Sequence, residues 1–186
     1  MGYVGSIVTQ SVVDTANIAD DSITTAKLAT NAVRDEMPAG SIIQTLSFVQ
    51  DGDITTTSTS LVATNFIGSI TPQFSSSKIL FTLQGGQGSY TGGTNFQNGS
   101  LYRQINSGGY SSIFVLYRRN MASVYYEPYS HSYLDSPNTT NQVDYQVYFY
   151  VNAHTGYFAM DPSSTNSAVI MLLQEIKQWV QNWEKH

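Results

Sequence analysis

Six large apolar residues near the start of the chain, Val8, Val13, Ile18, Ile23, Leu28 and Val33, fall at strict intervals of five. A helix turns about 100° per residue and a strand alternates every two. A period of five therefore holds one face on neither, nor on the roughly 3.5-residue seam of a coiled coil. The residue two before several of these positions is small or polar (Ala16, Asp21, Ala26, Asn31), which fits a pentapeptide-repeat solenoid. So few pentads supply barely more than one coil, too little to bury a continuous core alone. A second path is an extended shaft in which three chains, each turning at Asp20-Asp21-Ser22 or Thr24-Thr25, bury the same aliphatic row around a common axis. A disordered tail is the third, and the periodic aliphatics and Ala-rich content oppose it. Residues 1–36 are expected to form an extended repeat arm, with the six aliphatics as its trimerisation or packing row.

Arg34-Asp35-Glu36-Met37-Pro38-Ala39-Gly40 breaks the period with charge, proline and glycine, the composition of a boundary. Beyond it the pattern becomes β. Strand-like runs are expected at Ser41–Gln50, Ser60–Ser69, Lys78–Gln84, Gly99–Ile105, Ser112–Arg118, Ala122–Tyr126, Gln142–Val151, Tyr157–Met160 and Ala168–Ile176. Turn chemistry separates them: Asp51-Gly52, Thr71-Pro72, Ser75-Ser76-Ser77, Gly85-Gly86, Gly92-Gly93, Asn98-Gly99, Ser107-Gly108-Gly109, Ser136-Pro137-Asn138 and Asp161-Pro162. Many short strands with no helix between them predict a mainly β fold, a β-sandwich or jelly-roll-like domain over residues 37–173. Residues 174–186 contain no Gly or Pro, and Leu172, Ile176, Trp179, Val180 and Trp183 recur at helical spacing. They predict a short C-terminal amphipathic helix. Its two tryptophans need a partner, so Ile176, Trp179, Val180 and Trp183 are candidate anchoring residues.

Composition narrows function by exclusion. Only 11% of residues are charged, with 13 acidic against 8 basic side chains. Ser, Thr, Asn and Gln make up about a third of the chain and take over solubility. Eight scattered cations give no basic stripe for tracking phosphates, so nucleic acid is not an expected partner. The absence of cysteine removes disulfides, thiolate chemistry and thiol-ligated zinc. No run approaches the ~20 apolar residues that span a bilayer, and the first residues lack a signal peptide's pattern. Membrane insertion is not expected.

Chemistry is sparse. His131, His154 and His186 show no metal-ligand spacing, and no metal or other cofactor is expected. His131, Ser132 and Asp135 could be imagined as part of a hydrolase triad, but the Gly-x-Ser-x-Gly elbow is missing. The stretch Gly85–Gly93 lacks the lysine and following helix of a phosphate loop and is expected to be a flexible connection. Among Asp51, Asp53, Glu127, Asp135, Asp144 and Asp161 no carboxylate pair is legible, so no catalytic residue is assigned. What stands out is tyrosine, dense from Tyr110 to Tyr133 and again at Tyr145, Tyr148 and Tyr150. Most such rings are expected to pack in the sandwich core or across strands. The segment Tyr126–Asn141, with its Pro, Ser and Asn, is expected to be an exposed loop. There Tyr126, Tyr129, His131, Tyr133 and Asn138 would stack on sugar faces and hydrogen-bond hydroxyls, a candidate receptor-binding set.

The pentad stretch from Val13-Asp14-Thr15-Ala16-Asn17-Ile18 to Ala26-Lys27-Leu28-Ala29-Thr30-Asn31-Ala32-Val33 resembles the shaft repeat of bacteriophage tail fibres, especially those of cyanobacterial phages. The body is similar to a phage virion domain that follows such repeats, through Gly40-Ser41-Ile42-Ile43-Gln44, Ile70-Thr71-Pro72, Ser75-Ser76-Ser77-Lys78-Ile79-Leu80 and Leu134-Asp135-Ser136-Pro137-Asn138-Thr139-Thr140. The resemblance implies a homotrimeric, β-structured protein of the virion without enzymatic activity or cofactor. Its partners would be other phage virion proteins, of tail or capsid, and a host cell-surface glycan. The expectation is a short trimeric tail fibre or spike whose β knob contacts the host. The competing expectation is a trimeric capsid decoration or cement protein, a head fibre, clamping capsomers through its arm or C-terminal helix.

Overall fold

The chain divides into two units, Met1–Met37 and Pro38–His186. The computed structural model describes residues 36–91, 95–121, 127–159 and 168–178. The expected arm row Val8 to Val33, the Ala122–Tyr126 run and the helix residues Trp179, Val180 and Trp183 lie outside the described residues.

The second unit is built from ten strands: β1 Ile42–Gln50, β2 Ile54–Thr56, β3 Val62–Ile70, β4 Lys78–Thr91, β5 Asn95–Ile105, β6 Ser111–Met121, β7 Glu127–Asp135, β8 Val143–Val151, β9 Thr155–Phe158 and β10 Val169–Ile176. Every pairing is antiparallel. One sheet runs β1-β10-β4, with β7 on the other flank of β4 and β9-β2 joined to its far end. The other runs β3-β8-β5-β6. The ladders nest around the β5–β6 hairpin: β4 pairs with β7, β3 with β8 and β1 with β10. A hairpin rolled up in this way is the strand order of an eight-stranded jelly roll.

Alternation drives the sandwich, interrupted in β8 at Gln146, an outward position that is also buried. In β8, Val143, Tyr145, Val147, Phe149 and Val151 are buried, whereas Asp144, Tyr148 and Tyr150 on the opposite face are half-buried. Val143, Tyr145, Val147 and Phe149 meet Ile79, Phe81 and Leu83 of β4 and Val169, Met171 and Leu173 of β10 in one core. Each such large side chain contributes roughly 1.5–3 kcal/mol by leaving water. Phe81 and Tyr145, from opposite sheets, sit 6.2 Å apart.

Three expectations are corrected and one strand is added. The Gly85–Gly93 stretch is not a flexible connection as far as Thr91, because β4 continues through Gly85 and Gly86, both at positive φ, and its register to β7 shifts there. A bulge of this kind bends a strand without ending it. Asn98-Gly99 is no turn but the interior of β5. The short β2 went unanticipated beside Asp51-Gly52. The start of the expected C-terminal helix, from Gln174 to Ile176, belongs to β10, and Ile176 pairs with Ile42 and Lys78. Leu172 and Ile176 are four apart, a spacing that satisfies both a helical turn and strand alternation, and two flanking strands decide the outcome.

Inward Glu175 at the end of β10 is fully buried. Its carboxylate accepts hydrogen bonds from Gln44 Nε2 at 2.7 Å and from the backbone amides of Gln73 at 2.8 Å and Phe74 at 3.2 Å. A buried acid thus pins the β3–β4 connection, which carries the Thr71-Pro72 and Ser75–Ser77 turns.

Candidate functional site

The predicted receptor-binding loop is a strand for most of its length. Along β7, Tyr129 and Asp135 are buried and His131 and Tyr133 half-buried, while Pro128, Ser130, Ser132 and Leu134 are exposed. The period of two is present in the sequence, but serines on the outward positions and the neighbouring prolines disguise it as loop composition. Tyr129 retains only 2% exposure and cannot present its ring to a receptor. It packs 5.4 Å from Tyr117 of β6 and 5.0 Å from Phe158 of β9. Arg119 lies 4.8 Å from both the Tyr117 and Tyr129 rings. His131 stacks on Tyr117 at 5.5 Å.

The Tyr117 and Tyr129 hydroxyls approach to 3.5 Å in this corner. Burial pushes the Tyr117 phenol up to about 12, against the lowering influence of the Tyr129 hydrogen bond and of Arg119. Opposite Tyr117 in the ladder is Gly99, where a Cβ would run into the tyrosine ring. The corner is a packed scaffold. Tyr133 stacks on Phe114 at 4.6 Å near the sandwich edge, and Asn138 is exposed in the following loop at φ 53°. Of the predicted set, Asn138 is therefore exposed, Tyr129 is buried, His131 and Tyr133 are ring-stacked, and Tyr126 lies outside the described residues.

The candidate triad does not assemble either. Asp135 is held by Arg103 Nη1 at 2.8 and 2.9 Å to its two oxygens and by the Tyr145 hydroxyl, which donates at 2.7 Å. Tyr145 sits well above its ordinary pKa, first through burial and then through the Asp135 charge. The group is a cross-sheet clamp: Arg103 on β5 and Tyr145 on β8 meet Asp135 on β7. Ser132 alternates to the opposite side of β7. Among the described residues no three His, Cys, Asp or Glu side chains group so as to hold a metal ion.

A different aromatic surface is available, on the outward face of β3-β8-β5-β6. The uninterrupted β5–β8 register opposes Asn98 to Tyr150, Ser100 to Tyr148, Tyr102 to Gln146 and Gln104 to Asp144. The alternate residues of both strands face the core, so all eight of these lie on the outer side of the sheet, where Ser100 and Gln146 are nonetheless covered. Tyr102 and Tyr148, diagonal neighbours, stack at 4.0 Å with their planes 27° apart. Tyr110, from the β5–β6 connection, leans against Tyr148 at 6.1 Å. Further along, Phe96 meets Tyr150 edge-on at 5.7 Å and carries the Arg118 guanidinium 5.0 Å from its ring. These five rings are all half-buried. Tyr110 titrates above its ordinary value because of burial first, then the nearby Asp144 and Tyr148. Its hydroxyl remains a protonated donor at neutral pH.

Apart from Tyr110, Tyr148 and Tyr150, noted in the sequence for aromatic density alone, this surface was not anticipated. The signal that could have found it is the parity of β8, where Tyr148 and Tyr150 fall out of phase with Val143, Tyr145, Val147 and Phe149.

Neither a family model nor a curated protein matches the chain. Among solved structures, one of infectious bursal disease virus, Gx strain, aligns with 73% of this chain at 6% identity and a TM-score of 0.42. The alignment spans 40% of that viral chain, and a similarity at this level carries no inference about what the present chain does.

Proposed function

We propose that the chain is a structural protein of a phage particle, a short trimeric fibre or spike whose jelly-roll knob contacts the host surface. The observation that carries this reading is the division of labour in the knob. Its buried carboxylates Asp135 and Glu175 and half-buried Arg103 are tied into the scaffold, while its broad outer sheet presents tyrosines beside the amides of Asn98 and Gln104. A rigid sheet studded with half-exposed aromatics suits adhesion. A fold alone fixes no function, so the virion assignment rests on the shaft-like pentads and the body segments quoted above. Threefold multiplicity would let weak contacts add up through effective concentration.

A trimeric capsid decoration protein is the second reading. Phe114 and Val115 on β6 and Leu134 on β7, exposed by 40%, 56% and 46%, favour it. They lie on the outermost strands of the two sheets, where another protein could seat. Labelling intact virions with an antibody to residues 41–173, beside an adsorption-blocking assay, separates the two. Label at the tail with blocked adsorption is the expected result. Label spread over the capsid without blocking would replace the fibre by the decoration protein.

A further inference from the structure

We propose that the outer face of the β3-β8-β5-β6 sheet binds a neutral oligosaccharide in extended form, with Tyr102, Tyr148 and Tyr110 as one stacking platform and Phe96 and Tyr150 as a second. This assignment rests on the knob being the host-contacting part of the molecule, and it moves the contact from the β7 region to the sheet itself.

Three observations converge on that ligand class. The first is spacing. The Tyr102/Tyr148 pair is centred four residues along β5 from the Phe96/Tyr150 pair, given the opposition of Ser100 to Tyr148 and Asn98 to Tyr150. At about 3.3 Å per residue the platforms are separated by roughly 13 Å. One monosaccharide cannot bridge them, whereas several linked pyranoses can, with Asn98, abreast of Tyr150 on the side toward Tyr148, to hydrogen-bond hydroxyls.

The second is charge. The face has one cation and one anion near its rings, and both are engaged: Arg118 lies over Phe96, and Asp144 accepts from Gln142 at 2.8 Å and Gln104 at 3.4 Å. A polyanion would require a basic stripe, which is absent from these positions. An apolar peptide would require a contiguous aliphatic pocket, whereas the exposed aliphatics of this face, Ile67 opposite Gln146 and Val115 opposite Ser100, are separated on the flanking strands β3 and β6, and the strip between them offers rings, amides and hydroxyls. A pyranose presents an apolar CH face for stacking and hydroxyls at its rim, which matches that mixture.

The third is rigidity. All but one of the platform rings stand on paired strands whose inward neighbours are core residues, so little ordering is needed on binding.

The test uses the purified full chain in affinity electrophoresis through gels containing dextran, mannan or galactan, with dextran sulfate as the polyanion. Retardation by at least one neutral polysaccharide is expected. Tyr148→Ala and Tyr150→Ala should each weaken it by about tenfold or more. Tyr148→Phe, which keeps the ring, should stay within about threefold of the parent. Asn98→Arg keeps all five rings but sets a bulky cation beside Tyr150 and opposite Arg118, so it should also abolish retardation, and a denaturation midpoint measured for every variant separates lost binding from lost folding. A hexasaccharide of the retained polymer should compete where its monosaccharide does not.

Retardation by none of the neutral polymers, retardation by dextran sulfate alone, or equal retardation of all variants would each overturn the assignment. Failure here is separable from failure of the fibre reading. Tail labelling with adsorption blocked, but undiminished by Tyr148→Ala, would keep the fibre and discard this face. Glycan binding through the face by a protein found on the capsid would do the reverse.

Discussion

Tyr145 and Tyr148 stand three residues apart on β8 and face opposite ways. Tyr145 is buried and locked to Asp135, whereas Tyr148 is half-buried in a ring stack that reaches the surface. The same contrast separates the corner of Tyr117, Tyr129 and His131 from the outer row of Tyr102, Tyr110 and Tyr148. Both clusters are built mainly from tyrosine, at similar ring distances. What distinguishes them is strand parity, which decides whether a phenol works for the fold or for a partner. Aromatic density locates neither function by itself.

The contrast breaks most visibly at Tyr129. Replacing this ring with alanine empties a core position and should cost about 3–5 kcal/mol, read as a lowered midpoint in chemical denaturation. A cost below about 1 kcal/mol would mean the corner is not packed as described and would return Tyr129 to the list of surface residues. Asp135→Ala comes next. It strands Arg103 and the Tyr145 hydroxyl, but the Arg103 side chain is 23% exposed and can be partly rehydrated. The expected loss is therefore about 2–3 kcal/mol, below that for a fully buried pair. An unchanged midpoint would show that the cross-sheet clamp contributes nothing net.

Alkaline titration sharpens the same comparison without mutation. Tyr117 has its folded pKa raised from 10.0 to about 12, and Tyr145 is raised as well. A raised phenol favours the folded state while protonated, so this stability is fully present below about pH 10 and is lost as pH climbs through the folded value. Two units at Tyr117 correspond to on the order of 3 kcal/mol. Tyrosinate absorbance should therefore rise in two stages, the exposed phenols first and the corner late, with loss of the folded state accompanying the second. A single transition near pH 10 with the fold intact would contradict the burial of Tyr117.

The sandwich was legible because β1, β3, β8 and β10 alternate cleanly or are bounded by strong turn residues such as Thr71-Pro72. What was illegible follows from local signals that tertiary pairing overrode. Glycines at 85 and 86 read as a break, yet in the sheet they make a bulge in a continuing strand. Serines on the outward side of β7 read as loop, yet pairing to β4 turns them into the solvent face of a strand. The candidate site suffered most. Sequence could list tyrosines by density, but the choice between Tyr129 and Tyr148 requires each strand's register against the core, and Phe96 joins Tyr150 only through the β5–β8 pairing. The clamp of Arg103 to Asp135, 32 positions apart, has no local trace at all.

The smallest expected effect is also the most discriminating. Tyr102→Ala and Tyr148→Ala each remove a half-exposed ring from a cross-strand diagonal pair, so each should lower stability by only about 0.5–1 kcal/mol. The double variant should cost less than the sum of the singles, since the 4.0 Å stack is lost once, with a coupling of about 0.5–1 kcal/mol. Chemical denaturation of the three variants measures both quantities. A cost as large as that of Tyr129→Ala would mean the outer row is itself structural, with no ring to spare for a partner. A small cost and a small coupling leave the rings free to trade contact with each other for contact with a ligand, which is the property that separates the outer row from the corner.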